Sequence, residues 1–174
     1  MGEARRTEIM ETTRTSDGTG WLSSSYAIDY VYRGGAFSLV DVVQIAGSTT
    51  AYFLFDTAAS GYLSVHPPEF STTGGPVLIK IYAGTDYTAS TEMNVRNRNV
   101  HSSQVNLASL YSGATGSSKG TEIVEYAIPS GHKSSGSMSS SLPYVLDGVN
   151  YLIEVQNLDS NAIYFGINFT WFED

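Results

Sequence analysis

The tightest constraint on this chain is a strict two-residue alternation near its end, between Asn150 and Asp174. In a first run Tyr151, Ile153 and Val155 point one way, and Leu152, Glu154 and Gln156 the other. In a second run Ile163, Phe165, Ile167, Phe169 and Trp171 share one face, against Tyr164, Gly166, Asn168, Thr170 and Phe172. Successive side chains of a strand leave opposite faces, so each run is a strand with one face in a core. The link Asn157-Leu158-Asp159-Ser160-Asn161 is short and built of turn formers, which predicts an antiparallel hairpin. Fraying of the second run would put Phe169 and Trp171 in water, so that strand is expected inside a sheet.

The rest of the chain repeats the pattern in shorter pieces. Ala27 to Arg33 alternates weakly and stops at Gly34-Gly35, a turn. Phe37 to Ile45 reads as a strand with Phe37, Leu39 and Asp41 on one face, Val40 and Val42 on the other. Thr50 to Asp56 is apolar on both faces, as in a strand at the middle of a sheet or beneath a second layer. Tyr62 to His66 is short, and Pro67-Pro68 removes two ladder donors, which predicts an edge or a bulge. After a loop at Thr72 to Pro76, Val77 to Ala83 is the cleanest strand of the middle region. Met93 to Asn99 is polar and extended, Val105 to Tyr111 alternates weakly, and Glu122 to Pro129 is a strand. Ser130 to Ser141 is a long polar loop, Pro143 to Leu146 a short strand, and Asp147-Gly148 a hairpin signal.

Nine or ten short strands with turn punctuation and no amphipathic helix predict an all-β fold, an antiparallel β-sandwich. Eight or more strands over this length fit two four-stranded sheets, so a jelly roll comes first and an immunoglobulin-like sandwich second. The polar stretch Met1 to Ser25 has no period and reads as an extended N-terminal arm, with the sandwich spanning residues 26–174. Trp21, Leu22 and Tyr26 are its candidate anchors on a partner, because buried aromatics carry much interface energy.

Composition narrows the functions. The net charge of −8 and the lack of a basic stripe argue against nucleic acid. No apolar run reaches membrane-spanning length, and the first 20 residues lack the apolar stretch of a signal peptide. With no cysteine there is no disulfide, thiolate metal site or cysteine nucleophile. His66, His101 and His132 are mutually remote, so no metal or other cofactor is expected. Neither a nucleophile elbow nor a phosphate-binding glycine loop is present. Asp86, Glu92, Glu122, Glu125 and Glu154 are the carboxylates available for acid–base work, without a signature that pairs them, and the expectation is a non-enzyme. Among the 12 tyrosines, Tyr52, Tyr151 and Tyr164 are read as core, while Tyr87 and Tyr111 sit near loops, where such rings can stack on sugars.

Three stretches together resemble a family. They are Pro76 to Thr85, the triplet Asn97-Arg98-Asn99, and the ending from Asn150 to Asn157 and Phe169 to Glu173. In this order they are similar to small virion proteins of tailed bacteriophages, the capsid decoration or cement proteins, over roughly Ile28 to Glu173. Val100 stands where such proteins often carry Arg or Ser. The resemblance implies a jelly-roll-like domain, homotrimeric, assembled in the host cytoplasm and seated on the virion surface, where it bridges subunits of the major capsid (coat) protein. It makes Arg96, Asn97, Arg98 and Asn99 candidates for pairing with a neighbouring subunit's carboxylates. The other reading of the residues is a tail- or fibre-associated module that binds host carbohydrate through its Tyr, Ser and Asn loops.

Overall fold

The computed structural model describes residues 30–57, 63–65, 68–130, 136–137, 144–146 and 148–173. The arm, with Trp21, Leu22 and Tyr26, lies outside them, as do His66 and His132. Tyr30 to Arg33 is one helical turn and not a strand, and Gly34 ends it with a φ of 83°. The turn packs Tyr30 on Phe172 at 5.5 Å between ring centroids, which tertiary burial favours over the weak local alternation.

Thirteen strands follow among the described residues: β1 (Ala36–Ile45), β2 (Thr50–Asp56), β3 (Leu63–Val65), β4 (Glu69–Thr73), β5 (Val77–Ala83), β6 (Thr91–Glu92), β7 (Arg96–Asn97), β8 (Ser109–Ser112), β9 (Thr121–Ile128), β10 (Gly136–Ser137), β11 (Tyr144–Leu146), β12 (Tyr151–Asn157) and β13 (Ile163–Glu173). They form two antiparallel sheets packed face to face. Sheet A runs β10–β4–β13–β1–β7, with β3 beside the far end of β13 and β11 beside β3. Sheet B runs β6–β8–β2–β12–β5–β9. Taking β3/β4 and β10/β11 each as one interrupted strand leaves two four-stranded sheets. The chain crosses between them at every connection except β5 to β9, which is the order of a jelly roll. Residues 84–120, between β5 and β9, form an insertion that adds β6 and β8 to one sheet and β7 to the other.

The alternation near the C-terminus sets both strands and both inward faces correctly, but the hairpin does not form. β12 lies in sheet B between β2 and β5, whereas β13 lies in sheet A between β1 and β3/β4. The link is an arch from one sheet to the other. Asn157, 1% exposed, fixes it. Its Nδ2 lies 2.9 Å from the carbonyl oxygens of Ala46 and Asn161, and its Oδ1 accepts the Asp159 N–H at 2.9 Å. One amide thus ties this arch to the β1–β2 arch beside it. The two arches pass so closely that a Cβ at Gly47 would lie 1.9 Å from the Ser160 carbonyl oxygen. The hairpin expected before the C-terminal pair does not form either, since β11 lies in sheet A and β12 in sheet B.

The region read as a loop from Thr72 begins inside strand β4, which pairs with β13. The row is interrupted between β3 and β4, but it is not an edge, because β10 and β11 pair on its outer side. Between the sheets lie Trp171, Phe37, Phe53, Phe55, Phe70 and Phe165, all under 2% exposed. Their rings meet stacked, as in Phe37 on Trp171 and Phe70 on Phe165, or tilted and edge to face, with Phe55 to Phe169 at 4.8 Å and Phe55 to Trp171 at 5.5 Å. Burial of each such side chain contributes about 1.5–3 kcal/mol before ordering costs.

Candidate functional site

The two outer faces of the sandwich differ. On sheet B, Leu54 and Leu152 point outward and are nonetheless 1% and 0% exposed. The insertion covers them: Ala114, Tyr87 and Tyr111 pack with Tyr52 and Tyr82 over the two leucines. The apolar outer side of Thr50 to Asp56 predicts a strand at mid-sheet or beneath a second layer, and β2 has both, lying between β8 and β12 under this cover. Polar groups close the patch. The Tyr82 hydroxyl donates to Glu154 at 2.9 Å, and the Lys119 ammonium reaches the same carboxylate oxygen at 2.9 Å. Lys119 also sits over the Tyr52 and Tyr82 rings, at 5.6 and 5.7 Å. Burial, reinforced by the bond to Glu154, pushes the Tyr82 hydroxyl up to about 12. The hydrogen bond to Glu154 raises Lys119.

Each carboxylate that composition offers for acid–base chemistry has a partner inside the chain. Glu154 holds Tyr82 and Lys119; Glu122 and Glu125 hold Lys80; Glu92 accepts the Ser109 hydroxyl at 2.8 Å. Asp86 accepts the Ser117 hydroxyl at 2.6 Å and the Ser117 and Ser118 N–H groups, and these bonds, led by the hydroxyl, hold its carboxyl below the ordinary value. Among the described residues no group of three His, Asp or Glu side chains is arranged to hold a metal, and no helix is long and apolar enough to cross a membrane.

Sheet A is bare by comparison. On its outer side Val40 is 74% exposed, Val42 62% and Tyr164 53%. Tyr164 is therefore not a core residue. It lies on the outward side of β13 opposite Ile163 and Phe165, which the alternation of that strand requires.

The four candidates around Arg98 split into two kinds. Asn97 and Asn99 act inside the chain. Asn97 Nδ2 donates to the Gly34 carbonyl at 2.7 Å and to that of Gln104 at 3.1 Å, while its Oδ1 accepts the Asn99 N–H at 2.8 Å. Asn99 Nδ2 donates to the Tyr32 carbonyl at 3.1 Å, and its Oδ1 accepts the His101 N–H at 3.0 Å. Both amides therefore tie the 96–104 loop to the helical turn that begins the described residues. Arg96 and Arg98 alternate with them and are exposed, and among the described residues neither has an ion-pair partner. Alternation puts the amides in and the guanidinium groups out, a pattern present in the sequence as the run Arg96-Asn97-Arg98-Asn99.

Sequence reasoning misses Glu173. It is 2% exposed and its carboxylate collects three N–H donors: Trp171 Nε1 at 2.7 Å, Ala108 at 2.8 Å and Leu107 at 2.7 Å. Its own N–H donates to the Gly35 carbonyl at 2.8 Å. A single acidic residue near the C-terminus gives no signal of this role, because two of its three donors come from residues more than 60 positions away.

No protein-family model matches the chain, and no curated protein matches it. Among solved structures, a mitogen from Yersinia pseudotuberculosis is 11% identical with a TM-score of 0.37, covering 76% of this chain and 84% of that one. A Bacillus endospore appendage, described as a disulfide-linked pilus, is 14% identical with a TM-score of 0.27, covering 79% and 89%. A sugar-binding protein described as such only provisionally, from Bacteroides thetaiotaomicron, is 11% identical with a TM-score of 0.17, covering 76% and 66%. At these identities and scores none of them fixes a function for this chain.

Proposed function

We propose that the chain is a virion structural protein of a tailed phage, a capsid decoration protein that binds the coat protein on the outer surface of the head and bridges its subunits. The observation that supports this reading most directly is the joining of two segments 63 to 67 positions apart in sequence. Asn97 and Asn99 bind the carbonyls of Gly34 and Tyr32, so the root of the N-terminal arm and the exposed Arg96 and Arg98 form one surface. An arm and two guanidinium groups at one place can grip an acidic neighbour both along its surface and by paired hydrogen bonds. The fold itself supplies a rigid seat and needs no reaction centre for this work. The carbohydrate reading has less behind it, because Tyr87 and Tyr111 pack into the cluster over sheet B and are not free on loops.

The test is binding to undecorated heads. Deleting Met1 to Ser25 is expected to leave the melting transition in place and to weaken particle binding. Reversing the charge of both Arg96 and Arg98 to Glu is expected to weaken it at low salt more than at high salt. Full binding by both variants, or absence of the protein from purified virions, would overturn the reading.

A further inference from the structure

We propose that the open edge of β1 in sheet A is a self-association site, in which Val40 to Gln44 pairs antiparallel with the same residues of a second copy. β1 is bonded along its whole length to β13 on one side. On the other side β7 covers only Phe37 and Ser38, and the edge beyond is open among the described residues. The direction of the free groups follows from two bonds. The Ala36 carbonyl accepts the Arg98 N–H on the open side at 2.8 Å, and the register from Ala36 to Ile45 runs without a bulge. The even-numbered residues therefore aim both N–H and C=O at the edge. Those of Val40, Val42 and Gln44 have no strand to meet, and the two valines carry exposed β-branched side chains suited to one.

The occupant follows from the shape of the gap. An antiparallel strand related by a two-fold axis at Val42 sets Val42 opposite Val42 and Val40 opposite Gln44, so every outward N–H meets an outward C=O. The paired stretch ends where β7 of each copy begins, so the two β7 strands bracket it without overlap. Pairing of β1 with another edge of a neighbour is disfavoured. The long free edge of sheet B, β9, carries a bulge at Ile123, and Glu122 and Glu125 converge on Lys80 across its face. Bulges and edge charges of this kind block strand addition. The edges at β6, β7, β10 and β11 are two or three residues long. A two-fold contact closes at two copies, so the trimer implied by the phage resemblance would be built from other surfaces.

Asp41 restrains the pairing. Its Oδ1 accepts the Val42 N–H at 2.7 Å, which occupies the central donor of the edge. Across the two-fold axis the two Asp41 carboxylates would also lie near one another as like charges. Association is therefore reversible and strengthens with salt.

The proposal is independent of particle binding and is read on the isolated full chain by light scattering over a range of concentration. The wild type is expected to reach a dimer mass reversibly, and the double variant Val40→Lys, Val42→Lys to stay monomeric. Asp41→Ala, which frees the central donor and removes the repulsion, is expected to tighten the dimer about threefold or more. Because the chain has no cysteine, Val42→Cys gives a second readout. Directly paired Cα atoms in such a ladder are about 5.5 Å apart, within disulfide range. Val42→Cys is expected to cross-link under mild oxidation much faster than Ile123→Cys on the β9 edge. Equal cross-linking at the two sites, or a dimer that survives the double lysine variant, would overturn the proposal.

Discussion

The two outer faces of this sandwich begin from similar strands and end differently. β2 and β12 on sheet B carry Leu54 and Leu152 outward, and the insertion between β5 and β9 folds back to bury them under tyrosines. β1 on sheet A carries Val40 and Val42 outward, and nothing among the described residues covers them. The insertion has one length of chain to cover one face. It spends its aromatic residues, Tyr87 and Tyr111, on sheet B, and leaves to sheet A only the two-residue strand β7. An outward apolar residue is thus a core residue on one face and a contact surface on the other. The distinction lies in which face the insertion reaches.

The largest expected effect tests that contrast directly. Leu54→Ala is expected to lower stability by about 2–5 kcal/mol, since it opens a cavity under the insertion. Val42→Ala is expected to change it by no more than about 0.5 kcal/mol in a monomer. Urea unfolding measures both, and equal losses would erase the difference between the faces. Next in size is Glu173→Gln. The amide retains one oxygen for three N–H donors and turns its own NH2 toward one of them, at a cost of about 1–3 kcal/mol. The loss should come with faster hydrogen exchange at Leu107 and Ala108, because the insertion is released at that end.

A smaller effect is read against pH. Tyr82 keeps its proton up to about 12 in the fold, against an ordinary value of 10.0, so unfolding above pH 10 releases it. Its contribution is whole below pH 10 and is lost as the pH rises toward 12. Lys119, also raised, loses its contribution in the same direction. Asp86 acts at the other end: with its carboxyl held below 3.8, its contribution is present above that value and lost as the pH falls through the lowered one. Melting temperatures from pH 9 to 12 should fall less steeply for Tyr82→Phe than for the wild type. An unchanged slope would separate the hydroxyl from the stability of the covered face.

Much of the fold is legible in the sequence because alternation is a local property. The inward sides of β12 and β13 can be read residue by residue, that of β1 at Phe37 and Leu39 but not at Asp41, which is exposed, and Val77 to Ala83 matches β5 at both ends. The apolar outer side of Thr50 to Asp56 announces a strand at the middle of a sheet or beneath a covering layer, and β2 is both. The candidate site is legible only in part. The run Arg96-Asn97-Arg98-Asn99 stands out, yet nothing in it tells that the asparagines bind the Gly34 and Tyr32 carbonyls while the arginines stay outside.

What the sequence determines by itself is which residues form strands and which side of each faces the core, since a period of two and a turn former act within a few residues of chain. What only the tertiary structure decided is which strand pairs with which. A five-residue link can close a hairpin in one sheet or arch between two sheets. Asn157 holds the arch, because its amide reaches the Ile45 and Ala46 carbonyls only when the β1–β2 arch lies beside it. Glu173, the tyrosine cover and the open edge of β1 follow from the same placement, because each depends on groups brought together from distant parts of the chain.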